Sequence, residues 1–312
     1  MSLTTNKNFA PDQKGQGWKI FKSPKLEPFL YLSPSIILIC LVIFVPLVIG
    51  ISYAFQSISL FRPSDTGWIG FEHFEDIYQD RKFYKSLRNT FWWTFTSVIL
   101  QFSLGLGLAM LLKAGFKGQK FFQALIFLPW AVPTFLSALT WAWLFNPVIG
   151  PLSHWMFALG ILDEPYNILA DPSIAMYGPI AANVWFGIPF FAITLLAALQ
   201  SIPDEMYEAA AIDGASKWQV FSKITLPFLA PMIVITVMLR TVWIANFADF
   251  IYVMTSGGPA NSTQILSTYI FLTAFKKLDF GYASAVSVVL LVLLLIFATL
   301  LLKMRQKFVR VN

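Results

Sequence analysis

Residues 201–227 read SIPDEMYEAAAIDGASKWQVFSKITLP. Asp204 to Ile212 is composed of good helix formers. Asp204, Glu205 and Glu208 fall early in it, where carboxylates suit the helix dipole. Asp213-Gly214 is a turn signal. A second helix is expected from about Ser216 to Ile224, with Trp218, Phe221 and Ile224 near one face, stopping at Leu226-Pro227. The segment therefore reads as helix–turn–helix, and long apolar runs flank it on both sides. It is thus held at a membrane surface. Lipid does not explain a small-residue helix with an acidic start at such a surface, but a groove on another protein does.

The composition of the whole chain is that of a membrane protein. Of 312 residues, 57% are hydrophobic and only 12% charged, against about 45–50% and about 25% in an average soluble domain. Mean hydropathy is +0.67. Disorder, a collagen-like fibre, a disulfide scaffold and an ordinary soluble enzyme are excluded. The single cysteine, Cys40, sits inside an apolar run and is expected as a small buried residue, so no disulfide or thiolate cluster can form within the chain.

A bilayer-crossing helix needs about 20 mostly apolar residues. Six segments qualify, at roughly 29–54, 91–112, 121–145, 174–199, 228–254 and 282–302. The expected fold is an all-α polytopic membrane protein with six transmembrane helices. A polar segment, 1–28, precedes a six-span domain, 29–302, which contains the loop 201–227; a tail, 303–312, follows. The third, fourth and fifth runs carry prolines (Pro129, Pro133; Pro179, Pro189; Pro227, Pro231), and such helices face neighbours or a cavity.

With six spans both ends lie on one side. Connections on that side hold 14 Lys and Arg against 6 acids, and those opposite hold 7 against 9. The positive-inside rule places both termini in the cytoplasm. The pI of about 9.3 then reflects topology, and no nucleic acid is needed to explain it. Residues 56–90 and 146–173 fall outside and are long for bundle connections. The second contains a short amphipathic piece (Leu152, Trp155, Met156, Leu159), read as an interfacial helix or packed lid. Each loop either docks a soluble partner or caps the bundle.

Enzyme chemistry has little to stand on. No metal spacing surrounds His73 or His154, and neither His-Glu-x-x-His nor Gly-x-Ser-x-Gly occurs. A stand-alone carrier or channel would favour internal repeats and intramembrane ion-coupling residues. No clear repeat is present, and only Arg240 and Asp249 are charged within the spans.

The 201–227 segment resembles the EAA motif of the membrane subunits of ATP-binding-cassette importers: Glu-Ala-Ala, three residues, Gly, nine residues, then Ile-x-Leu-Pro. Here it is Glu208-Ala209-Ala210, Gly214, Ile224, Leu226 and Pro227. LPWAVPTF (128–135), NVWFGIPF (183–190), TSGGP (255–259) and GYASAVSV (281–288) extend the resemblance to carbohydrate-importer permeases, such as the larger maltose permease subunit and the glycerol-phosphate permease. The extra N-terminal spans and large inserted domain of that maltose subunit are missing here.

The resemblance implies a type I importer permease in a bacterial or archaeal inner membrane. It implies pairing with a second permease, coupling to two ATPase subunits, and delivery of sugar by a periplasmic or lipid-anchored binding protein. ATP and Mg belong to the ATPase, since no Gly-x-x-x-x-Gly-Lys-[Ser/Thr] loop occurs in this chain. The coupling residues it implies are Glu208, Ala209, Ala210, Asp213, Gly214, Leu226 and Pro227. The substrate path carried over by gapless alignment is Trp130, Thr134, Asn183, Gly187, Phe190, Arg240 and Asn246. Asn183, Gly187 and Phe190 share a helical face. Phe190 stands where the maltose subunit has Tyr, and Arg240 where it has Ser. An arginine in a span is costly and faces a cavity or partner. Arg240 is expected either on the substrate path or in a structural pairing, and not bonded to Asp249, which is about 13 Å along the helix on the opposite face.

Overall fold

The computed structural model describes residues 27–61, 64, 66–161, 163–164 and 166–311. The polar segment 1–28 therefore lies almost wholly outside the described residues. The chain divides into two units, residues 1–52 and 53–312. In the first, α1 (Glu27–Ile39) and α2 (Val45–Tyr53) are joined by a π turn, Cys40–Phe44, in which the N–H of Val45 bonds the Cys40 carbonyl. The wider turn lies just ahead of Pro46, which has no N–H to give. Cys40 is exposed rather than buried, because a single helix offers no core to cover it.

The second unit begins with a small antiparallel pair, β1 (Gln56–Ser57) and β2 (Gly67–Trp68), then α3 (Glu72–Gln79). The sequence gives no strand signal there, since two residues have no readable alternation. A 33-residue helix follows, α4 (Arg81–Lys113). At 1.5 Å per residue it is about 50 Å long, well beyond a ~30 Å hydrocarbon core. The excess is the charged first ten residues, ahead of the run expected at 91–112.

The run 121–145, expected as one span, is two helices bent by 94°: α5 (Gln119–Ala131) and α6 (Thr134–Leu144). Val132 stands before Pro133 and is extended (φ −99°, ψ 128°). Proline disfavours the helical region for its predecessor, so the chain turns there. Next come α7 (Pro151–Ala158), where the amphipathic piece was expected, and α8 (Tyr177–Gln200). Then come α9 (Asp204–Ile212), α10 (Lys217–Val220), a π turn at Phe221–Thr225, α11 (Leu226–Asn246), α12 (Asp249–Met254), α13 (Leu266–Phe275) and α14 (Phe280–Val311). The helix expected to stop at Leu226-Pro227 does not stop. The π turn again precedes a proline and carries the helix through it. Among the described residues five helices are long and apolar enough to cross a membrane, or six if the bent pair is one broken span.

Two clusters hold this unit together. In the larger, α4 and α8 pack face to face around Trp93, Phe191, Leu195 and Leu199, with Leu229 and Ile244 of α11 beside them. Gly105 allows the approach: a Cβ there would lie 2.4 Å from Cβ of Phe191 and 3.1 Å from the Ala192 nitrogen. In the smaller, Ile77 and Phe83 meet Leu266, Tyr269, Val286 and Leu290 of α13 and α14.

Asp80 pins this second cluster. One carboxyl oxygen accepts from Tyr269 Oη at 2.5 Å and Tyr282 Oη at 2.8 Å, and the other caps α4 through the Lys82 N–H at 2.8 Å. Partial burial works against the charge. The two hydroxyls and the Lys82 and Phe83 N–H groups outweigh it and hold the carboxyl below its usual 3.8. A carboxyl lowered on folding stabilises above its unfolded pKa and loses that contribution as pH falls through the folded one. Asp80→Asn is therefore expected to destabilise the detergent-solubilised protein by about 1 kcal/mol at neutral pH. In melting curves the gap to the wild type should shrink as pH drops below 3.8.

Candidate functional site

The first group of functional residues is the helix–turn–helix. α9 starts after Pro203 with Asp204 and Glu205 in its first turn. It ends in a Schellman-type turn, where the Ala215 N–H bonds the Ala210 carbonyl at 2.9 Å and the Gly214 N–H bonds Ala211 at 3.2 Å. Gly214 has φ +69° with open space around it, so backbone conformation and not room demands glycine. Ser216 and Gln219 then form a capping box that starts α10.

The faces of α9 are distinct. Glu208, Ala209, Ile212 and Asp213 are exposed, and Ile212 is 87% so. Ala210 turns inward and is 7% exposed. Tyr207 also turns inward: the Lys113 ammonium sits 3.9 Å from its ring centroid, and its hydroxyl is 3.4 Å from Thr225 Oγ1. Lys113 Nζ is sealed and has no hydrogen-bond partner among the described residues, so the ring face is its main compensation. α9 is thus clamped to the end of α4 on one side and free on the other. Leu226 and Pro227 lie at the start of α11. The apolar residues the sequence reading did not single out on this surface are Met206, 40% exposed, and Ile212.

The second group surrounds an opening of about 510 Å3, lined by Trp130, Phe186, Arg240, Trp243, Asn246 and Phe247 with Val242 and Ile244. Of the seven residues expected on a substrate path, Trp130, Arg240 and Asn246 line it. Trp130 Nε1 donates to the Phe186 carbonyl at 2.9 Å, and Asn246 Nδ2 to Val242 at 2.9 Å. Phe190 stands behind, its ring 5.3 Å from that of Trp243. Thr134 lies apart and donates to Asp249 Oδ2 at 2.8 Å. That leaves Asp249 unpaired with Arg240.

Asn183 and Gly187 are sealed behind the wall by a residue the sequence reading missed, Gln101. Gln101 is fully buried; its Nε2 donates to the Asn183 carbonyl at 2.8 Å and its Oε1 accepts from Arg240 Nε at 2.7 Å. A Cβ on Gly187 would fall 2.1–2.4 Å from the Gln101 amide. Gly187 therefore makes room for Gln101 instead of touching the opening. The Asn183 side chain is fully buried, and neither Oδ1 nor Nδ2 has a partner among the described residues. The available signal for Gln101 was its amide in the otherwise apolar run SVILQFSLGL.

Among the described residues there is no group of three or more His, Cys, Asp or Glu that could hold a metal. What the arrangement offers is one helix with an exposed face and one aromatic-walled opening with a guanidinium at its back.

Residues 101–310 match the family model of the binding-protein-dependent transport system inner membrane component. The chain belongs to that family. It is an inner-membrane transport subunit, not an enzyme. The trehalose/maltose transport system permease protein of Thermococcus litoralis is 38% identical over 76% of this chain and 79% of its own length. The sulfoquinovosyl glycerol transport system permease protein of Agrobacterium fabrum is 35% identical over 86% of this chain and 87% of its own. A chain from the crystal structure of a bacterial ABC transporter involved in import of the acidic polysaccharide alginate superposes with TM-score 0.79. It is 26% identical, over 94% of this chain and 99% of that one.

In this family member the packing of Gly187 on Gln101 is directly testable. Gly187→Ala is expected to expel the Gln101 amide, break its bond to Arg240 and destabilise the protein by about 1–3 kcal/mol. Combining it with Gln101→Ala should cost less than the sum of the two, read from thermal melts of the purified protein.

Proposed function

We propose that this chain is one membrane half of an ATP-driven importer of a sugar, polyol or related small carbohydrate. Its named relatives, which carry trehalose and maltose, sulfoquinovosyl glycerol and alginate, support that cargo class. The observation that carries the reading is α9, clamped to α4 through Tyr207 and bare on the face of Glu208, Ala209 and Ile212.

In this reading a second homologous permease completes the path, and each permease docks one of two ATPase subunits. ATP and Mg are held there. A sugar-binding protein, soluble in the periplasm or lipid-anchored, delivers the cargo from outside. Both termini and α9 face the cytoplasm, as the surplus of Lys and Arg on that side supports. Glu208 pairs with a basic group of the ATPase, Ala209 permits close approach, and Ala210 and Tyr207 keep the helix seated on the permease.

Force entering at α9 has two ways into the bundle. One is the Lys113–Tyr207 contact to the end of α4. The other is the continuous helical run Lys217–Asn246, in which Arg240 lies about 30 Å beyond Val220. Both ways end at the opening, since Gln101 on α4 bonds Arg240 on α11. A small tilt of α9 can therefore change the walls around Trp130 and Trp243.

Glu208→Ala is expected to abolish ATP-driven uptake in reconstituted vesicles, by at least tenfold, while the protein still inserts and melts normally. Uptake at the wild-type rate would remove Glu208 from the coupling role. Tyr207→Leu should loosen the seat and leave ATP hydrolysis running with reduced transport.

A further inference from the structure

Arg240 has the strongest unanswered chemistry in the molecule. It is 6% exposed, in a run of apolar residues, and among the described residues it forms no ion pair and one hydrogen bond, Nε to Gln101. Gln101 is a neutral amide and leaves the positive charge in place. A buried charge with no counter-charge is strongly unfavourable in low dielectric. Asp249, the other charged residue of this stretch, accepts from Thr134 and does not line the opening.

The free part of the guanidinium points to where the counter-charge comes from. Arg240 lines the opening, and neither of its terminal nitrogens is among the sealed, partnerless atoms. Gln101 uses Nε and fixes the plane of the group, so the two terminal amino groups remain available as a fork. That fork matches two oxygens of one anionic group. The walls are Trp130, Phe186, Trp243 and Phe247, with the Asn246 amide among them. None of the lining residues is acidic. Aromatic faces suit the C–H surface of a sugar ring, and a dry aromatic wall strengthens the attraction between fork and anion.

We propose that this opening takes a sugar or polyol that carries an anionic group, such as a carboxylate, sulfonate or phosphate ester. Arg240 is its counter-ion, and Gln101 is the positioning residue that aims the fork. This rests on the carbohydrate-importer reading and names its substrate class. A neutral sugar would exchange water for hydroxyls at the guanidinium and leave the charge unanswered. An anionic one neutralises it.

The test is equilibrium dialysis of the complete transporter, both permeases with their ATPases in lipid nanodiscs, against radiolabelled glucuronate, glucose and acetate. Glucuronate and glucose differ in one carboxylate, and acetate carries the charge without the sugar. Glucuronate is expected to bind at least tenfold more tightly than either of the others. Arg240→Gln should erase the difference, Arg240→Lys should keep part of it, and Gln101→Leu should weaken glucuronate several-fold more than it weakens glucose. Equal binding of glucuronate and glucose, or no binding of either, overturns the inference. So does an unchanged preference in Arg240→Gln, which would give Arg240 a structural pairing with the second permease. Acetate binding as tightly as glucuronate would instead overturn the carbohydrate reading beneath it. Should the variants fail to assemble, the wild-type ratio of glucuronate to glucose still decides.

Discussion

In hydrocarbon a polar group has no water to turn to, so each must find its partner inside the protein. That constraint organises this bundle. Trp93 Nε1 reaches from α4 to the Ile244 carbonyl of α11 at 3.0 Å. Gln101 reaches from α4 to α8 and receives Arg240 from α11. Trp130 reaches from α5 to α8, and Thr134 from α6 to Asp249 of α12. Nearer the start of α4, Asn89 Nδ2 donates to the carbonyls of Asn261 and Gln264, and Thr90 Oγ1 accepts from the Leu266 N–H. Packing between apolar helices has little directional preference, and these bonds set which helix faces which. Gln101 contributes most because it joins three helices at one point.

α9 has no core of its own. It is fixed by one aromatic ring, one alanine and the turn at Gly214, and its other face is bare. In the proposed function, movement there is transmitted because Lys217–Asn246 continues through Pro227 by a π turn instead of breaking. A break at Pro227 would have separated α9 from the arginine that lines the opening. The two π turns, at Cys40–Phe44 and Phe221–Thr225, are the same answer to the same problem, a proline in a helix that has to continue.

Much of this was legible in the residues. Long apolar runs announced the spans, and Asp213-Gly214 announced the turn that φ +69° at Gly214 realises. Arg240 identified itself by being charged where charge is costly. The rest depended on tertiary neighbours. Pro129 and Pro133 signalled an irregular third run, but the 94° bend follows from the extended backbone of Val132. The spacing of Asn183, Gly187 and Phe190 showed that they share a face. It could not show that Gln101 covers the first two, since helical periodicity names a face and not its neighbour. A stop at Leu226-Pro227 was the ordinary reading of proline, and the π turn that overrides it has no sequence signature of its own.

In the proposed function this chain works only as part of an assembly whose motor docks on α9. The most direct measurement is the set of proteins retained when the tagged chain is extracted from its native membrane in mild detergent, identified by mass spectrometry. A second permease and an ATPase in twofold copy are expected, together with an Ala209→Cys variant that cross-links to that ATPase. Recovery of this chain alone, active in reconstituted vesicles without ATP, would contradict it.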